Sequence, residues 1–98
     1  MQKDILFYQA NFEPEVNRML QAEKKEEEKY FLLFKNKTLK IVDQILNLSK
    51  SFPEKEEWFC VRNIIENIEF TDESTKKIIL NYGIPFSNKF AHRLNTQV

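Results

Sequence analysis

Few side chains in this sequence could do chemistry. His92 is the only histidine and Cys60 the only cysteine. A histidine works as a general base when a carboxylate orients it and a nucleophile lies beside it. No Asp or Glu follows Glu73, so His92 reads as a surface or phosphate-facing group. Cys60 stands between Phe59 and Val61 and reads as buried packing rather than as a nucleophile. One Cys cannot build an internal disulfide framework, and one His with one Cys cannot build a Cys/His zinc site. Glu54, Glu56 and Glu57 gather carboxylates without the spacing of a calcium loop, and the charge preference of a helix N-terminus accounts for them. The expectation is no catalytic residue, no metal, no cofactor and no small-molecule substrate.

The basic residues offer more. Lys+Arg and Asp+Glu are 15 each, so net charge draws the chain neither to DNA nor to an acidic membrane. Their distribution is uneven. Residues 53–70 carry five acidic and two basic side chains, whereas residues 71–98 carry two acidic and four basic ones. Ser74-Thr75-Lys76-Lys77 places short polar and basic groups together at a helix start, where they could meet base edges and phosphates. Lys89, His92 and Arg93 follow without a carboxylate among them. These seven residues are the candidate nucleic-acid-binding set.

The elements that must position them read as helices. The chain has 98 residues, 42% of them hydrophobic, which suits one small globular domain. A single Gly excludes Gly-rich phosphate loops and most hairpin turns. Pro14 suits the first turn of a helix, and Val16, Met19 and Leu20 continue at helical spacing. Residues 21–29 are a Lys/Glu run with one apolar residue, either an exposed helix turn or a linker. Tyr30-Phe31-Leu32-Leu33-Phe34 fits a buried helix turn better than a strand, because no turn chemistry supplies a partner strand. Asn36-Lys37-Thr38 marks a brief break, and Leu39, Val42, Ile45 and Leu46 then form an amphipathic stripe. Ser51 with Glu54 three residues later, and Pro53 between them, signals a new helix. Trp58, Val61, Ile64 and Ile68 give it an apolar face. Asp72 and Glu73 open the next helix, and Gly83 is expected to close it with positive φ before Pro85 leads the chain away. Phe12, Phe31, Phe34, Phe52, Phe59 and Phe70 all fall on apolar stripes and are core candidates; so small a core leaves room for some of them on an exposed binding patch.

Two helix candidates, 61–68 and 74–82, are separated by Glu69-Phe70-Thr71-Asp72, the length of a helix-turn-helix corner. Over residues 58–87 the sequence resembles small bacterial DNA-binding proteins of the MerR/excisionase type. Trp58 stands at that family's Trp, with Ile64 and Ile68 at its apolar positions. Phe70-Thr71-Asp72-Glu73-Ser74 resembles its turn, and Ile84-Pro85-Phe86-Ser87 resembles the step into its wing. The chain departs from the family where Phe90-Ala91-His92-Arg93 has no wing Gly and reads as helix. It departs again where Ile78-Ile79-Leu80 is more apolar than a groove-facing helix needs. The resemblance implies a recognition helix starting at Ser74.

The fold expected is all-α: a single domain, 1–98, of four or five helices, with an extended N-terminal helical arm over 14–51 and a helix-turn-helix-like part over 53–98. The function expected is DNA binding without catalysis. Ser74, Thr75, Lys76 and Lys77 would lie in or beside the major groove, and Lys89, His92 and Arg93 on phosphates. The alternative is a helical protein-interaction module, such as an immunity protein, antitoxin or inhibitor that occludes a partner protein. The stripe at Leu39–Leu46 needs a cover, and a homodimer through 14–51 would supply one. No apolar run reaches bilayer-spanning length and no leader pattern opens the chain, so a cytoplasmic location is expected.

Overall fold

In a computed structural model the chain is a bundle of helices, described over residues 3–96. The outermost two residues at each end of the expected 1–98 domain lie outside that range. Among the described residues there are five α-helices, one 3-10 turn and no strand. They are α1 (Ile5–Lys24), α2 (Glu28–Leu48), α3 (Phe52–Glu66), the turn Ile68–Phe70, α4 (Glu73–Tyr82) and α5 (Ile84–Thr96). The all-α small domain is as expected. None of these helices is long and apolar enough to cross a membrane.

Helix α1 begins nine residues before Pro14, the expected start. Asp4 caps it, its Oδ1 accepting from the Phe7 N–H at 3.0 Å. Pro14 sits inside the helix, where its missing N–H leaves the carbonyl four residues back without its usual donor. That carbonyl belongs to Ala10, and the Ser87 hydroxyl of α5 donates to it at 3.1 Å. The interior proline thus becomes an attachment point for the last helix.

The Lys/Glu run makes the turn between α1 and α2. The Glu26 N–H donates to Glu23 O and the Glu27 N–H to Ala22 O, with Glu26 in the left-handed region at φ 57. This is the Schellman pattern of helix ends, with a glutamate where glycine is usual. Tyr30–Phe34 is helix, but only Phe31 is buried in it; Tyr30, Leu32 and Leu33 are exposed. The break expected at Asn36-Lys37-Thr38 does not occur. The buried Thr38 hydroxyl donates to Phe34 O at 2.8 Å, which keeps it satisfied inside a continuous α2. Val42 and Ile45 are buried and Leu39 and Leu46 partly so, because α1 and α3 cover this stripe within the chain. The need for a dimer to cover it is thereby removed.

Ser51 caps α3 as expected, accepting from the Glu54 N–H at 3.3 Å, with Pro53 in the first turn. Trp58, Val61 and Ile65 face inward and Ile68 extends that face; Ile64 is only partly buried. Trp58 is the hub of the core. Its ring lies 5.3 Å from Phe12, 5.2 Å from Tyr82 and 5.7 Å from Phe86, which joins α1, α3, α4 and α5 through aromatic contacts. Gly83 differs from expectation: its φ is −80, ordinary helical backbone. Glycine is needed there for space, since a Cβ would stand 2.6 Å from the Glu13 Cβ of α1. Pro85 falls in the first turn of α5, where its missing N–H costs nothing, so the chain turns and stays helical.

Candidate functional site

The seven candidate residues sit on α4 and α5. Asp72 caps α4, accepting from the Thr75 N–H at 2.7 Å, and its carboxyl is held below the usual range by hydrogen bonds from the Thr75 hydroxyl and backbone. Ser74 and Lys77 are exposed and Thr75 is half-buried. Lys76 is buried and turns back to α1, where Nζ donates to Glu23 Oε1 at 2.7 Å, with Glu73 at 3.6 Å. The hydrogen bond to Glu23 raises the lysine pKa against the opposing effect of burial. The N-terminus of α4 therefore carries two carboxylates, Asp72 and Glu73, where a phosphate would approach.

On α5, Lys89 and His92 are exposed. Arg93 is half-buried and forms a two-pronged pair with Asp4, at 2.7 and 3.3 Å. The Arg93 hydrogen bond and then the Phe7 N–H lower the Asp4 pKa, and Asp4 raises that of Arg93. Lys76 and Arg93 engage opposite ends of α1. At about 1.5 Å per residue those ends are roughly 28 Å apart along the helix, which separates the two cations more than the width of a major groove, about 12 Å. Lys76 and Arg93 are thus engaged at the two ends of α1. Helix α4 packs chiefly on α1 and meets α3 where Tyr82 lies against Trp58 and donates to Glu57, and α5 stands where the MerR/excisionase resemblance implies a wing. Among the described residues, no group of three or more His, Cys, Asp or Glu side chains converges to hold a metal ion.

A second surface lies on α3. Its inner face is set by Trp58, Val61 and Ile65, so positions 52, 56, 59 and 63 recur on the opposite face. Phe52 is 72% exposed and Phe59 58%; Phe70, in the 3-10 turn that follows, is 88% exposed. These are the three most exposed aromatic side chains, although all three fall on apolar stripes that mark them in the sequence as core candidates. Cys60 beside Phe59 is also exposed, contrary to the buried reading. The missed signal was phase: Trp58 and Phe59 are adjacent, and a helix cannot turn both inward. Shallow depressions flank Phe59 on both sides and share Phe59 and Cys60 in their walls. Around them stand Glu56, exposed, and Glu66, which pairs with Arg62. Arg62 is held on its other side by Asp43 at 2.7 Å. Near Phe70, Glu69 accepts from Lys35 at 2.7 Å; burial pushes its carboxyl up, but the lysine and the local backbone outweigh this and leave it lowered.

Compared with protein-family models, with curated proteins and with solved structures, the chain gives no significant match.

Proposed function

We propose that this chain is a non-enzymatic protein-interaction module that docks a partner protein through the outer face of α3. The observation that carries the reading is the exposure of Phe52 and Phe59 on the outer face of α3, with Phe70 exposed in the turn that follows. Each ring offers about 150–250 Å² when fully exposed, so the three present roughly 300–550 Å². The summed area matches that of the largest apolar patch on a typical monomer, although here Glu56 divides Phe52 from Phe59. Burying it yields roughly 10 kcal/mol at 25 cal/mol per Å², comparable with the cost of association, about 4–15 kcal/mol. Polar contacts around the rings must therefore add to the affinity.

A photo-crosslinking amino acid placed at Phe59, with another at Asn47 on α2 as control, tests the reading in cells. The expected result is a discrete protein adduct from position 59 and none from 47. Adducts equal at both positions, or nucleic-acid adducts from 59, would sink it.

A second reading is DNA binding through Ser74, Lys77, Lys89 and His92. Its support is the exposure of these four side chains. With Lys76 and Arg93 engaged by α1, two lysines remain to meet phosphates, and the log–log salt slope would be about −2. A mobility shift at low salt that disappears in the Lys77→Glu/Lys89→Glu variant would favour DNA over the protein partner.

A further inference from the structure

We propose that α5 is a strap. It detaches as a unit from a body of α1 to α4 that stays folded, and in doing so it uncovers the aromatic cluster around Trp58. The distribution of buried side chains carries this. The buried core residues, from Phe12 to Ile79, all lie on α1 to α4 or in the 3-10 turn. Among the described residues α5 is the one α-helix with no buried side chain. It docks through a narrow stripe, Phe86, Ser87, Phe90 and Arg93, each only partly buried. Within that stripe Phe86 alone packs against the core, its ring 5.7 Å from those of both Trp58 and Tyr82.

The other attachments follow α1. Ser87 holds the Ala10 carbonyl that Pro14 leaves free, at 3.1 Å. The Phe90 ring meets Phe7 at 6.0 Å, and Arg93 reaches the cap residue Asp4 at 2.7 Å. The joint is equally light. Gly83 alone separates α4 from α5 and is buried against Glu13 of α1, which fixes the pivot. Beyond it, Pro85 has no N–H to bond the Asn81 carbonyl four residues back, so the helical ladder is interrupted where α5 begins. Segments with few buried apolar contacts open at lower free energy than the whole fold. Release of α5 gives up one hydrogen bond, an exposed ion pair of little worth and the contacts of two rings. It leaves the core of α1 to α4 in place. What it bares is Phe7, Trp58, Tyr82 and the unpaired Ala10 carbonyl, a surface that the closed chain hides.

Hydrogen exchange of the full chain, followed by NMR in urea below the unfolding transition, tests this. The amides of Lys89, Phe90 and Ala91 should exchange through one shared opening, roughly tenfold or more faster than the slowest amides of α2 and α3. Their rates should depend weakly on urea, because the opening exposes little surface. Two variants separate the strap from the body. Ile65 is buried in α3, two turns beyond Trp58. Ile65→Val should speed the slowest α2 and α3 amides about two- to tenfold and leave residues 89–91 unchanged. Ser87→Ala removes the anchor on Ala10 and should speed residues 89–91 by about two- to tenfold. Equal acceleration of 89–91 and α3 by Ile65→Val would mean that α5 leaves only with the whole fold. Exchange graded inward from Thr96, with Lys89 as protected as α3, would mean that the helix end merely frays. Unchanged exchange at 89–91 in Ser87→Ala would mean that the Ala10 carbonyl does not hold it. Any of these results would overturn the strap.

Discussion

On the outer face of α3 Phe52 and Phe59 stand in solvent, as does Phe70 in the turn that follows, while on α4 and α5 Lys76 and Arg93 turn inward to carboxylates of α1 and its N-cap. Residue type alone suggests the reverse, with aromatics in the core and cations free for a ligand. Helical phase decides it. On α3, Trp58 takes the inward direction and Phe59, about 100° round the helix, cannot share it. On α4, Ile79 is buried on the face that meets α1, and Lys76, three residues earlier, lies on the same side. Its ammonium has to find a carboxylate there, and Glu23 supplies one.

The largest test of this comparison sets two neighbours against each other. Trp58→Ala removes the ring that joins four helices and should cost about 3–5 kcal/mol. Phe59→Ala should stay within about 0.5 kcal/mol, as for other exposed positions. Urea unfolding of both variants checks this, and similar losses would mean that Phe59 is not a free surface group.

The same reasoning marks what could be read in the sequence. The helical class, the Ser51 and Asp72 caps and the burial of Trp58 rest on local signals, namely capping residues and a 3.6-residue period, which tertiary structure left intact. Pro14 and Gly83 are different, because their meaning depends on distant partners. Pro14 is tolerated within α1 where Ser87, 77 residues away from Ala10 in sequence, takes the orphaned carbonyl. Gly83 is small because α1 passes over it. The cations were visible as charges, but Glu23 and Asp4, their partners, lie at the far end of the sequence. No local pattern shows that Lys76 and Arg93 are engaged.

On the α1 side of that comparison, Gly83→Ala should be the next largest effect. The added Cβ would press on Glu13, whose backbone N and Cα both lie 3.1 Å from its position. The two segments must separate, at about 1–3 kcal/mol by analogy with overpacking in cores. A thermal melt measures it; an unchanged Tm would mean that α1 and the α4–α5 corner yield freely.

Lys76→Ala leaves Glu23 without its ammonium partner. Complete loss of one member of a buried pair costs about 3–5 kcal/mol; the Glu23 side chain keeps 27% of its exposure, so roughly 1–2 kcal/mol is expected after screening by solvent. Lys77→Ala, one residue along and exposed, should be near neutral. Equal effects of the two substitutions on urea stability would erase the distinction between an engaged and a free cation.

Glu26→Gly should act in the opposite direction. A non-glycine residue in the left-handed region carries a penalty of about 1–2 kcal/mol, part of which is offset by the greater freedom of glycine in the unfolded chain. A net gain of about 1 kcal/mol is expected, read as a rise in Tm. The one glycine of the chain serves close approach at position 83, so the turn at 26 bears the strain instead.

The smallest effect, and the one that isolates the Asp4–Arg93 clasp, is on pH dependence. The Asp4 pKa is lowered below 3.8 in the folded chain, first by the Arg93 hydrogen bond and then by the Phe7 N–H. A group whose folded pKa is depressed binds fewer protons folded than unfolded. Its contribution is therefore fully present above the unfolded value and lost as pH falls through the folded one. Arg93 stays protonated throughout, so the loss comes from the carboxylate. Asn is as good an N-cap as Asp, so Asp4→Asn keeps the cap on α1 and removes only the charge that faces Arg93. The Tm of this variant should lie slightly below that of the parent near neutral pH, and the difference should close as both are titrated below about pH 4. Arg93→Gln should bring the same convergence, and added salt should shrink the gap because the pair is exposed. Parallel Tm curves of parent and Asp4→Asn down to acid pH would show that Asp4 titrates alike in the folded and unfolded chains. Arg93 would then be as free as Lys89, and the contrast between an engaged α5 cation and an exposed α3 aromatic would lose one of its two cationic supports.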